Sequence, residues 1–176
     1  PIVTDVTGVQ ACALPIYAVL QVNFRVSEGY GKEFMRAGFR QWGRGMQDDI
    51  TDGVSWLVEK GIVDRHRVAI FGWSYGGYAA LAGMIFTPEI YACGVDLWGI
   101  SNYFTFFEGI PLYWKPYLDQ IRERWGDPVA DRQQMYDTSP VFHVENLEAP
   151  LFIAQSTNDR SEERRVGKEW RSRGSA

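Results

Sequence analysis

The sequence predicts an α/β domain, a mostly parallel sheet with helices on both faces. Three observations lead there. Short apolar, β-branched runs alternate along the chain with longer runs of helical period. One of those short runs passes directly into a helix through a glycine-flanked serine, Gly72-Trp73-Ser74-Tyr75-Gly76. The 176 residues are 45% hydrophobic and 15% aromatic, enough for one packed core.

Taken in order, Tyr17 to Phe24 (YAVLQVNF) reads as the first strand. A glycine-rich stretch with Gly29, Gly31 and Gly38 follows. The spacing then predicts a helix over Asp48 to Lys60, because Ile50, Val54, Leu57 and Val58 share one face. Asp48 and Asp49 suit the positive N-terminal end of that helix, and Gly61 suits its C-terminal cap. Arg67 to Phe71 (RVAIF) is a second strand, and Gly76 to Phe86 a second helix stopped by Pro88. Tyr91 to Trp98 and Leu151 to Gln155 are the third and fourth strands. Such continuous apolar strands belong to parallel sheets buried on both sides. Between the last two strands, Ser101 to Glu148 is rich in aromatic residues. Most of these suit core packing. A few, at the start of the segment, suit an apolar substrate pocket beyond the carboxyl end of the third strand.

Composition removes several classes of function. A net charge of −4 offers no electrostatic footprint for nucleic acid. No apolar run is long enough to cross a bilayer, and the first residues do not read as a signal peptide. The two cysteines, Cys12 and Cys93, form neither a disulfide framework nor metal-ligand spacing, so no metal or cofactor is expected. Cys93 reads as a small buried hydrophobe.

The chemistry centres on Gly72-Trp73-Ser74-Tyr75-Gly76-Gly77. A strand that reverses into a helix over one residue forces Ser74 into an unusual backbone conformation and holds its hydroxyl out of the sheet. A side chain at Gly72 or Gly76 is expected to collide with the neighbouring strand or helix. At the start of the helix, the Tyr75 backbone N–H can stabilise an oxyanion. A serine nucleophile needs a base, and the base needs an orienting acid. Asp159 follows the fourth strand at its carboxyl end, where that acid belongs, although a turn residue after Asn158 would look the same. The chain has two histidines. His66 precedes the serine strand and reads as a solvated loop residue. His143 enters the fourth strand from its amino end. Neither is placed to reach Ser74.

Across Tyr17 to Asp159 the sequence resembles the hydrolase domain of the prolyl oligopeptidase family, in its acylaminoacyl-peptidase and dipeptidyl-peptidase branches. The matching segments are YAVLQVNFR at 17–25, GYG at 29–31, QDDITDGVSWL at 47–57 and GWSYGGYAA at 72–80. WGDP at 125–128, SPVFHV at 139–144 and APLFIAQSTND at 149–159 continue the match. The resemblance implies a partial α/β-hydrolase fold with Ser74 as nucleophile, Asp159 as triad acid and Tyr75 as an oxyanion donor. It also implies an apolar pocket wall at Tyr75, Ile100, Tyr103 and Phe106. The implied reaction is hydrolysis of short peptides by acyl transfer, with carboxylic-ester hydrolysis or a non-catalytic hydrolase-like domain as alternatives. Family members carry a β-propeller ahead of this domain. One departure is Arg25-Val26-Ser27-Glu28, where relatives usually have arginine, glycine and small residues.

The ends depart further. Relatives carry a His-Gly-Gly-type segment before the position of Tyr17 and a Gly-His-Gly-type segment, bearing the catalytic histidine, well after that of Asp159. Here residues 1–16 and 160–176 instead resemble translations of synthetic sequencing adaptors, and both are expected to be foreign flanks that pack poorly. The tail from Arg160 carries six basic and three acidic residues, a solvated charge run and no nucleic-acid patch. The chain as written is expected not to hydrolyse peptides.

Overall fold

The computed structural model describes residues 9–10 and 17–155. A three-stranded parallel sheet lies at its centre, in the order β3 (Ala69–Trp73), β4 (Cys93–Leu97), β5 (Leu151–Ala154). Two further short strands, β1 (Val9–Gln10) and β2 (Val19–Leu20), pair antiparallel with each other. The first expected strand is therefore reduced to two residues, and the sheet is not joined to it. The reason is local packing. Leu20 and Val22 lie over Gly53 of α2 (Gly45–Glu59), the helix that follows the short α1 (Lys32–Ala37), where an added methyl group would press on both side chains, and Phe24 rests on Tyr75. Of the expected flanks, only the paired Val9–Gln10 falls within the described residues.

The helix α2 begins three residues earlier than its periodicity predicts. Asp48 sits in its first turn as expected, while Asp49 turns away to bind Arg25. Its end is a glycine cap: Gly61 has φ 66°, its N–H reaches the Val58 carbonyl, and the Ile62 N–H reaches that of Leu57. Ile50 and Val54 pack against the core cluster of Ile70, Ala80, Met84 and Tyr91.

The central helix α3 (Tyr75–Phe86) is apolar all round because it is covered all round, buried from Gly77 to Ile85. It packs on β3 and β4, with α2 and the 3-10 segment Pro140–Asn146 against its other sides. Gly94 of β4 has no Cβ because the Met84 side chain occupies that space. At the N-terminal half of α3 an aromatic cluster forms around Trp42, whose ring lies 4.6 Å from Tyr75, 5.2 Å from Tyr78 and 5.5 Å from Tyr103. Short helices α4 (Tyr103–Glu108), α5 (Leu118–Trp125) and α6 (Arg132–Asp137) close over this cluster.

Helices were expected on both faces of the sheet. Among the described residues they cover one. On the other face Phe71, Trp73 and Phe152 are 68%, 69% and 62% exposed, with half-buried Val95 in register between Phe71 and Phe152. Cys93 lies on this face and is half-buried, not enclosed. No helix among the described residues is long and apolar enough to cross a membrane.

Candidate active site

The strand β3 ends at Trp73 and α3 begins at Tyr75, so Ser74 alone makes the turn. Its backbone sits at φ 55°, ψ −120°, a left-handed conformation rare outside glycine. Two hydrogen bonds fix it there. The Ser74 N–H donates to the Leu97 carbonyl at 2.9 Å, and its own carbonyl accepts from Tyr78 N–H at 3.0 Å. Ser74 is exposed at the carboxyl end of the sheet.

The flanking glycines divide unequally. A Cβ on Gly72 would run into the backbone of Gly76, as expected. A Cβ on Gly76 would meet nothing, which corrects the expected collision: Gly76 lends its backbone to the close approach and its own missing side chain faces open space. The crowded partner is Gly77, whose Cα faces the Asp96 carboxylate and lies under Gly99, with a hypothetical Cβ 2.7 Å from the Gly99 Cα.

Tyr75 opens α3, so its N–H has no partner within the helix and points out at the positive end of the dipole. Its side chain packs between Phe24, Trp42 and Tyr78. The hydroxyl is buried without a partner among the described residues, and burial pushes its pKa well up. Ile100, Tyr103 and Phe106 are only 7%, 1% and 9% exposed and belong to the same core cluster. Tyr75 packs against this cluster. A surface hollow of about 350 Å³ lies among Tyr113, Trp114, Tyr117 and Trp125. Another, of about 470 Å³, lies among Phe104, Arg132, Tyr136 and Phe142.

Both histidines are held away from Ser74. His66 is exposed in the turn before β3, with its N–H on Asp64, and the five-residue strand puts about 16 Å between it and the serine. His143 packs on Phe86 and Tyr136. Phe86 ends α3, so the 12 residues of that helix set Phe86, on which His143 rests, about 18 Å along the axis from Ser74. Asp159 lies outside the described residues.

Two features escaped the sequence reading. Arg25 grips Asp49 through Nε, Nη2 and its backbone N–H, at 2.8, 2.6 and 2.8 Å. The hydrogen bond to Arg25 holds the Asp49 carboxyl below the usual carboxylate range. The next residue, Val26, has φ 90°, so the departure from glycine in that loop leaves a branched side chain in a glycine conformation. The second feature is Asp96, fully buried in β4. Burial raises its pKa to about 6, partly opposed by the Gly99 N–H that donates to Oδ1 at 2.7 Å. A lone acid inside the apolar run Tyr91 to Trp98 was the available signal, since a buried carboxyl is costly unless partnered.

The prolyl oligopeptidase family model matches residues 8–162. Dipeptidyl aminopeptidase BIII of Pseudoxanthomonas mexicana is 45% identical over 145 residues, 81% of this chain and 21% of that protein. Dipeptidyl peptidase family member 6 of Caenorhabditis elegans is 43% identical over 146 residues, 81% of this chain and 20% of that one. The chain thus spans about a fifth of the length of these curated relatives. A puromycin-hydrolyzing peptidase of Mycobacterium tuberculosis superposes with a TM-score of 0.80 at 27% identity, over 88% of this chain and 23% of that one. Pyrococcus horikoshii acylaminoacyl peptidase gives 0.77 at 26% identity, over 90% of this chain and 26% of that one.

Proposed function

The chain belongs to the prolyl oligopeptidase family, and we propose that the protein carrying it is a serine peptidase with Ser74 as its nucleophile. The observation that carries this reading is the single-residue turn at Ser74, φ 55° and ψ −120°, between a parallel strand and a buried helix. There the hydroxyl is exposed while the backbone is locked on both sides.

In this reading Ser74 Oγ attacks a peptide carbonyl and its proton passes to a histidine base. The Tyr75 N–H receives the developing oxyanion. The base then protonates the leaving amine, and water hydrolyses the acyl-enzyme by the reverse route. Asp159 orients the base. Neither His66 nor His143 can be that base, so this chain alone is inactive and the histidine comes from the rest of the protein. Tyr75, backed by Ile100, Tyr103 and Phe106, forms the apolar side of the substrate site. Short peptides are the substrates, and a β-propeller elsewhere in the protein restricts access. The dipeptidyl names of two relatives favour removal of dipeptides from the amino end.

Parallel kinetics of the full-length protein on a dipeptidyl-anilide and a short acyl ester test the substrate class. Turnover of the anilide with kcat/KM above that of the ester is expected. Ester-only turnover would make it a carboxylic-ester hydrolase, and turnover of neither a non-catalytic relative.

A further inference from the structure

Asp96 stands at the join of three parts of the site. In the sheet it is in register with Gly72, two residues before the serine. Its side chain lies on the α3 face, where Oδ1 accepts the Gly99 N–H at 2.7 Å and touches the space beside Gly77 in the first turn of α3. Gly99 and Gly77 themselves are in backbone contact. A Cβ on Gly99 would press on Asp96 Oδ1 and come within 2.7 Å of the Tyr78 N–H nitrogen.

The residue between, Trp98, is held at φ 56°, a conformation a bulky side chain rarely adopts unless its surroundings impose it. Its N–H is tied to Ala154 of β5, and the preceding Leu97 carbonyl holds the Ser74 N–H. The turn leaving β4 is thus bound to the serine on one side and to the first turn of α3 on the other. Asp96 Oδ2 is buried with no partner among the described residues, so the carboxyl is not in a position chosen for stability alone.

We propose that Asp96 is a positioning residue for the oxyanion donor: through Gly99 it clamps the β4 exit turn onto the first turn of α3 and so fixes the Tyr75 N–H relative to Ser74. Substrate does not touch it. The inference rests on the peptidase reading of Ser74.

The test uses the full-length protein. Asp96→Asn keeps the shape and an acceptor for Gly99, Asp96→Ala removes the acceptor, and Gly99→Ala pushes on the same turn from the other side. Thermal unfolding identifies a temperature at which each variant is folded. Loss of an oxyanion contact acts on kcat, so Asp96→Ala and Gly99→Ala should lose about 30-fold or more in kcat with KM within about 3-fold, while Asp96→Asn stays within about 3-fold in both. Wild-type kcat in folded Asp96→Ala, or an equal loss in Asp96→Asn, overturns the proposal. If Asp96→Ala does not fold, Gly99→Ala decides. Failure of the wild type itself to label with a fluorophosphonate would remove the peptidase reading instead. Amide exchange then judges the clamp alone: faster exchange at Tyr75 to Tyr78 in Asp96→Ala than in Asp96→Asn supports it, and equal exchange overturns it.

Discussion

The two faces of the central sheet have opposite fates. On one face Ile70, Gly72, Gly94 and Asp96 lie under α3, with backbones so close that three glycines around the serine turn, Gly72, Gly77 and Gly99, have no room for a methyl group. On the other, Phe71, Trp73, Val95 and Phe152 form an apolar row without cover among the described residues. The difference shows where the specificity of the fold is concentrated. Apolar side chains make the bare face, whereas the covered one, with its glycines and buried Asp96, is shaped to fix a particular side chain in a particular place.

The sharpest way to break this comparison is to place one methyl group on the covered face. Gly72→Ala forces the Gly76 backbone away and should cost about 3 kcal/mol, read from urea unfolding of the chain by tryptophan fluorescence. A cost below about 1 kcal/mol would mean that the turn is more yielding than its geometry implies.

A second substitution tests the charge on the covered face. Asp96 titrates near 6 in the fold against 3.8 for the free side chain. The folded state therefore holds the proton more tightly. The burial penalty is absent below about pH 4, grows as pH rises towards 6 and is complete at pH 7. Asp96→Asn lacks the charge, so it should be about 2–3 kcal/mol more stable than wild type at pH 7 and equal to it near pH 4. A difference independent of pH would place the charge in a solvated site.

On the bare face, Phe71→Thr, Trp73→Thr and Phe152→Thr should each leave the stability of this chain within about 0.5 kcal/mol. Self-association in light scattering should fall, since an exposed apolar row invites it. In the full-length protein, a cost above about 1 kcal/mol for the same changes would show that the rest of the protein covers this face.

A substitution off the sheet separates general backbone strain from face-specific packing. Val26→Gly relieves a branched residue at φ 90° and should raise the urea midpoint by an amount worth about 1 kcal/mol. A fall instead would mean that the packing of Val26 on the core outweighs its backbone conformation.

The same contrast explains what was legible in the sequence. RVAIF, LFIAQ and the Gly-x-Ser-x-Gly spacing announce strands, a helix and the turn between them, because each is a local pattern. The turn at Ser74 follows from spacing alone. Coverage of the faces does not, because buried and bare positions of a parallel strand read alike: Ile70 and Phe71 are adjacent and equally apolar. The run Tyr17 to Phe24 looks like a central strand, yet Leu20, Val22 and Phe24 are held by α2 and Tyr75. Ile100, Tyr103 and Phe106 were readable as pocket or core, and their gathering with Trp42 in one cluster is a tertiary fact that no local pattern announces. Gly76 and Gly77 are neighbours in one motif, and which of them is crowded depends on Asp96 and Gly99, some twenty residues away.

The central claim is that the Ser74 turn holds a nucleophile. Its most direct measurement is covalent labelling of the full-length protein by a fluorophosphonate, followed by mass spectrometry of the modified peptide. The account predicts one adduct, on Ser74, abolished by Ser74→Ala. An unmodified Ser74, or labelling undiminished in Ser74→Ala, would contradict it.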